Sequence, residues 1–204
     1  MLQLRTIDPG TLGLLKALVQ EPFLADNFLV GGTALALQMG HRFSVDLDLF
    51  THSAFEAEPL LEAFQAKYKV QPLTVTNTIF IVVVEGIKVD CVHFKYPFAF
   101  PLLNLDGVRM ADLRDIAPMK LDAVTKRGSK KDFFDMYYLF ERFSPSQILE
   151  WYNQMFKHST SFHVIRSLTY FDDAEQTETP VVFDKKVTWA EVKKRMVQVV
   201  RDNF

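Results

Sequence analysis

One cysteine, Cys91, occurs in the 204 residues. A disulfide framework within the chain is therefore excluded, and a reducing, cytoplasmic setting is expected. Long apolar runs are missing too. The longest, Ile79 to Val84, falls far short of the roughly 20 residues that a membrane-spanning helix needs. No basic segment followed by an apolar core opens the chain, so neither a signal peptide nor a membrane partner is expected. Net charge is small, with 23 Lys and Arg against 25 Asp and Glu, a formal −2. That excludes a basic coat for nucleic acid over the whole surface and leaves room only for a local polyanion site. Internal repeats and low-complexity tracts are absent. What the chain does have is apolar material, 49% of its residues, enough for a sizeable core.

The pattern along the chain predicts two regions. Asp8 can cap a first helix with Pro9 in its opening turn, and Leu12, Leu15, Leu18 and Val19 share one face. Residues 28–30 read as a short strand running into Gly31-Gly32, and residues 33–39 as a helix stopped by Gly40. Residues 45–50 alternate Asp with apolar residues, which predicts a strand with Val45, Leu47 and Leu49 facing the core. A helix over 59–68 and strands over 70–75, 78–84 and 87–94 follow, the last two joined by a Glu85-Gly86 hairpin turn. The stretch from Tyr96 to Met110 shows no clear element. Beyond it the reading is mostly helical. One helix spans 113–127, and another follows Ser129 and Asp132, a capping pair. A third starts at Ser144-Pro145, and a last one is capped by Thr188 and Glu191 with Val192, Met196 and Val199 inward. A polar, acidic loop is expected over 172–180. The expectation is an α+β protein: residues 1–105 build a mixed sheet flanked by helices, and residues 106–204 form a mostly helical region.

The chemistry concentrates around Gly31-Gly32-Thr33 and Asp46-Leu47-Asp48. Residues two apart on a strand point to the same side, so Asp46 and Asp48 project together. Adjacent carboxylates repel unless a cation lies between them, and hard oxygen ligands suit Mg²⁺. A Gly-Gly turn between strand and helix lets a phosphate approach the backbone, where amides and the positive helix end favour it. Either feature alone is equally compatible with solvated surface or an ordinary turn. Their order distinguishes them: strand, Gly-Gly, short helix, then a strand carrying Asp-x-Asp.

The segment GGTALALQMGHRFSVDLDLF resembles the first motifs of the nucleotidyltransferase superfamily that includes DNA polymerase beta. It is similar, more narrowly, to the AbiEii/AbiGii toxin family, the nucleotidyltransferase toxins of type IV abortive-infection systems. Gly31, Gly32, Thr33, Arg42, Ser44, Asp46 and Asp48 carry the likeness. The resemblance implies a polymerase-beta-type nucleotidyltransferase fold and a third carboxylate on a later strand. Asp90 in GIKVDCVHF matches, with Lys88 and Val92 on its face and Val89 and Cys91 on the other. An edge-facing Lys88/Asp90 pair is the plain structural alternative. The helical half resembles the family through MKLDAVTKRGSKKDFFDMYYLFER, with Lys120, Arg127, Lys131, Asp132 and Asp135. Lys120 and Arg127, seven apart, share a helix face. A solvated charged face is the commoner fate of such a stretch.

The resemblance implies a two-metal Mg²⁺ site on Asp46, Asp48 and Asp90. Gly31, Gly32, Thr33, Arg42, Ser44, Lys120, Arg127 and Lys131 would contact the nucleotide, with Lys120 assisting catalysis. It further implies an NTP donor, an acceptor hydroxyl on RNA (tRNA) or protein, and a possible cognate antitoxin. The alternatives are a nucleotide-binding or regulatory module without turnover and a protein acting mainly through a partner. His41, beside Gly40, could approach a substrate, although a turn histidine is more often plain surface, and His52, His93, His158 and His163 show no zinc spacing. Cys91 has no evident base partner. The aromatics around Phe133, Phe134 and Phe140 read as core.

Overall fold

The computed structural model describes residues 1–157 and 161–204, so His158 lies outside the described residues. It comprises two compact units, residues 1–40 with 44–112, and residues 41–43 with 113–204.

The first unit is built on a seven-stranded mixed sheet. Helix α1 (Pro9–Leu18) starts where the Asp8 side chain accepts the Gly10 N–H, with Pro9 in the first turn. It buries Thr11, Leu14, Leu15 and Leu18, so its inward face is centred on Leu14 and Leu15 rather than on Leu12 and Val19. Strand β1 (Phe28–Val30) is wholly buried and runs straight into α2 (Gly31–Met39), which ends at Gly40 in the left-handed conformation. Gly31-Gly32 is thus the first turn of the helix itself. Strand β2 (Leu47–Thr51) and helix α3 (Ala57–Gln65) follow. Next come β3 (Val70–Val75), β4 (Ile79–Val84) and β5 (Ile87–His93). Glu85 and Gly86, both at positive φ, close the β4–β5 hairpin, the conformation a type I′ turn demands.

A second hairpin sits where no element is expected from the sequence. Strands β6 (Leu103–Leu105) and β7 (Val108–Met110) are joined by Asp106-Gly107, again both at positive φ. The sheet order is β3-β4-β5-β2-β1-β7-β6. Strand β2 pairs antiparallel with β1 and parallel with β5, which puts the two motif strands side by side at the centre. One sheet face is dry. Leu47, Leu49, Val89 and Cys91 are fully or almost fully buried with Phe64 and the α2 leucines. The other face of β2 and β5 holds the half-buried Asp48, Phe50, Lys88, Asp90 and Val92. Position 45 departs from the alternation: β2 starts only at Leu47, and Val45 is 54% exposed.

The second unit is helical: α4 (Leu113–Lys126), α5 (Lys130–Arg142), α6 (Pro145–Met155), α7 (Ser161–Ser167), α8 (Asp172–Glu175) and α9 (Trp189–Asn203). Helix α6 has a capping box between Ser144 and Gln147, and Thr188 caps α9 by accepting the Glu191 N–H. Ser129 behaves differently from the expected cap. Its hydroxyl donates to the Asp132 carboxylate at 2.6 Å and bonds no backbone amide. The acidic loop contains the one-turn helix α8. Phe133, Phe134 and Phe171 pack around Trp189, so these aromatics are core. Among the described residues no helix is long and apolar enough to cross a membrane.

Candidate active site

The first unit brings Asp48, Asp90 and Gly31 together at the half-exposed sheet face. Asp48 stands in register with Asp90 on the neighbouring parallel strand and with Val30 on the other side. Residues in register on adjacent strands lie roughly 5 Å apart, so two carboxylates face the same small space. Like charges directly opposite destabilise a sheet unless compensated. Part of the compensation is Lys88, whose Nζ donates to both Asp90 oxygens at 2.6 Å. Its side chain remains 40% exposed.

Gly31 is fixed by the same geometry. Its φ is +67°, and a Cβ there would come within 2.0 Å of Asp48 Oδ2. The carboxylate therefore rests directly against the start of α2, where only glycine fits. Thr33 and Ser44 turn inward. Thr33 Oγ1 lies 2.9 Å from Ser44 Oγ and donates to the Asp46 carbonyl. Both residues are buried. They tie the first turn of α2 to the chain entering β2 and so set where Asp46 and Asp48 emerge. Asp46 is half-buried, one residue before the strand.

The donor chemistry of this face suits a divalent cation, with carboxylates from neighbouring strands beside backbone amides at a helix start. Mg²⁺ is commonly held by one or two carboxylates and completed by substrate phosphates. Among the described residues, no group of three or more His, Cys, Asp or Glu side chains converges as a metal cluster. Cys91, beneath this face, is fully buried, and burial followed by the Asp90 charge pushes its thiol well above the usual range. It is no nucleophile.

The second unit gathers the basic residues into a buried ion cluster. Asp135, fully buried, accepts from Arg42 Nε at 2.6 Å and Nη2 at 2.9 Å, a bidentate pair. Lys120 Nζ lies 2.7 Å from the same carboxylate and 3.2 Å from Asp132. Asp132 also accepts from Arg127 through Nε and Nη2, each at 2.8 Å. Residues 41–43 reach this unit by pairing with 181–183: Arg42 bridges Val182, Phe43 N–H donates to Val181, and Phe183 N–H donates to His41. Burial raises the Asp135 carboxyl, but the charges of Arg42 and Lys120 outweigh it and hold the group well below the usual carboxylate range. Asp132 is likewise held low against burial, by Lys120, Arg127 and Ser129. His41 Nε2 sits 2.8 Å from Asp135, and burial lowers its pKa despite that partner.

The structure thus brings Gly31, Asp48 and Asp90 together, with Thr33 and Ser44 as their scaffold. It brings Arg42, Lys120 and Arg127 together around Asp132 and Asp135 in the helical unit. Arg42 and Lys120 are 3% and 4% exposed, whereas the Arg127 side chain is 57% exposed and Lys131 half-buried. Two participants lay outside the expected set. Lys88 was legible as the face-mate of Asp90. The hydrogen bond from His41 to Asp135 spans 94 positions and left no local signal.

Comparison with known proteins fits this geometry. Residues 13–107 match the family model described as nucleotidyl transferase AbiEii toxin, type IV TA system. The chain is 30% identical over 194 residues to an uncharacterized protein of Aquifex aeolicus, covering 92% of this chain and 93% of the relative. A Helicobacter pylori structure regarded as a nucleotidyltransferase superposes with TM-score 0.60 at 18% identity, covering 95% and 94% of the two chains. The nucleotidyltransferase toxin MenT4 of Mycobacterium tuberculosis superposes with TM-score 0.58 at 15% identity, covering 94% of this chain and 84% of MenT4. The fold is that of the polymerase-beta-like nucleotidyltransferases.

Proposed function

We propose, because the chain belongs to the AbiEii nucleotidyl transferase toxin family, that it moves a nucleoside monophosphate from an NTP to an acceptor hydroxyl on RNA, such as tRNA, or on protein. The observation that carries this reading is the register of Asp48 with Asp90 directly against the Gly31 turn. Asp46, Asp48 and Asp90 would hold Mg²⁺, which supplies charge neutralisation to the triphosphate and to the attacking oxygen. The amides of Gly31 and Gly32, at the positive end of α2, bind the β- and γ-phosphates. Thr33 and Ser44 act as positioning residues through their bond to each other and to the Asp46 carbonyl. Lys88 releases Asp90 as substrate binds, which its exposed ammonium permits. Asp90 then takes the proton of the acceptor hydroxyl, whose oxygen bonds to the α-phosphorus as the α–β bridging bond breaks and pyrophosphate departs. Lys120 and Arg42 support this chemistry by holding the helical unit together. Arg127 and Lys131, less buried than Arg42 and Lys120, would be the residues to meet RNA phosphate. A cognate antitoxin and a cytoplasmic setting accord with the family.

One observation favours a second reading, a nucleotide-binding module without turnover: Lys88 already occupies both oxygens of Asp90. The deciding experiment is transfer from each of four α-labelled NTPs to a total tRNA pool with Mg²⁺, wild type beside Asp48→Ala. Label with wild type alone supports the enzyme and names the donor base. NTP binding without incorporation into tRNA or protein supports the module.

A further inference from the structure

The carboxylate face continues past Asp48 and Asp90 into a bed of aromatic rings. Phe50 follows Asp48 by two positions on β2 and shares its face, roughly 6.6 Å further along. Its ring lies 5.1 Å from that of Phe94, which lies 5.7 Å from Phe98. Phe98 meets His52 edge-on at 5.3 Å. Below them Phe28 is 2% exposed and contacts both His52 and Phe98, forming a floor. Phe50, Phe94 and Phe98 are only half-buried, and His52 is exposed. The three rings are contiguous, so together they form a partly exposed aromatic patch rather than scattered surface residues. Lys95 is exposed, its ammonium 5.2 Å over the ring of Tyr96, which meets Phe94 edge-on and so sets the lysine at the rim.

Position along the face says what these rings meet. Asp48 rests against Gly31 on one side, and Phe50 lies on the other, since β1 runs antiparallel and pairs Val30 with Asp48 and Phe28 with Phe50. In the proposed reaction, pyrophosphate leaving the α-phosphorus would be held at the Gly31-Gly32 end. In-line displacement puts the attacking hydroxyl opposite, toward Phe50. Any apolar, flat group carried next to that hydroxyl arrives over the rings.

We infer that Phe50, Phe94 and Phe98, with Lys95 at their rim, form an acceptor subsite that stacks the terminal nucleobase of a single-stranded nucleic acid whose hydroxyl is modified. This rests on the nucleotidyltransferase reading and narrows its acceptor to nucleic acid. Every base presents a π-face, so such a bed binds with little sequence preference, and Lys95 supplies a cation for the adjoining phosphate.

The test uses an RNA oligonucleotide ending in 2-aminopurine, whose fluorescence is quenched by stacking. It is titrated into wild type, Phe98→Leu and Phe98→Tyr, with transfer kinetics measured alongside. Expected are quenching with wild type and Phe98→Tyr, loss of quenching with Phe98→Leu, and about tenfold weaker RNA binding in that variant. The KM for NTP stays unchanged. RNA binding without quenching, or equal quenching in Phe98→Leu with its melting temperature intact, overturns the subsite. So does a rise in the NTP KM with RNA affinity unchanged, which assigns the rings to the donor base. Absence of RNA binding overturns it as well. Quenching in a wild type that transfers no nucleotide leaves the subsite standing and removes the enzymatic reading instead.

Discussion

Asp135→Asn removes the charge that holds the helical unit's buried cations. The carboxylate is 0% exposed and takes Arg42 in a bidentate pair, with Lys120 and His41 within 2.8 Å. Asparagine keeps the shape but offers one acceptor oxygen and no charge. Arg42 and Lys120, at 3% and 4% exposure, lose a counter-charge in surroundings where water replaces it poorly. Breaking one side of a buried ion pair costs about 3–5 kcal/mol. Lys120 retains Asp132, which places the expected loss near the lower end. For a chain of this length that corresponds to a fall in Tm of roughly 6–20 °C. The assay is unfolding at neutral pH followed by circular dichroism, where the helical unit dominates the signal. Lys194→Ala is the control, because that lysine and its Glu191 partner are both well exposed, at 76% and 45%, a pair worth about 1 kcal/mol or less. A loss under about 1 kcal/mol for Asp135→Asn would refute the view that Asp135 anchors the cluster.

Four further outcomes are expected. Gly31→Ala forces a positive φ on an L-residue, at about 1–2 kcal/mol, and drives its methyl into Asp48. Nucleotide transfer should fall about a hundredfold or more, at roughly 2.7 kcal/mol of lost transition-state stabilisation, with only a modest fall in Tm; wild-type transfer would show that Asp48 has no fixed seat. Lys88→Ala should change stability by about 1 kcal/mol or less, since the lysine side chain is 40% exposed and its pair is partly solvated, and should tighten Mg²⁺ binding in isothermal titration. The His41 pKa is lowered from 6.5 by burial, so the unfolded chain takes up a proton that the folded one refuses. Stability is therefore full above 6.5 and falls as pH drops below it, with a further loss below 3.8 as Asp132 and Asp135 lose their advantage. In His41→Gln the first decline should flatten in pH-dependent melts. Cys91 should resist thiol reagents until global unfolding, at a rate that tracks denaturant.

Much of the first unit was legible because its signals are local. Asp8-Pro9 specifies a helix start, Glu85-Gly86 a hairpin, and the alternation in Ile87–His93 a strand with one dry face. The β6–β7 hairpin escaped notice because each strand has three residues, too few for periodicity to register, although Asp106-Gly107 is itself a strong turn signal. The spacing of Lys120 and Arg127 correctly gave a shared face, and both do meet Asp132. What it could not give was the partner of Arg42, Asp135, 93 positions away. Burial at that range is a tertiary outcome, so the sequence around Arg42 carries no sign of its ion pair with Asp135.

The strand order has a kinetic corollary. Strands β5, β2 and β1 occupy the middle of the sheet, with two strands beyond them on either flank. On one side the outermost strand, β3, contains Pro72 and a slipped register between Pro72 and Thr74. Fraying begins at such a margin, where amides have neighbours on one side only. Backbone deuterium uptake should therefore spread inward from β3, reaching Asp48 and Asp90 last. The carboxylates sit on the central strands of the sheet, so their mutual register should outlast the breathing of the strands around them.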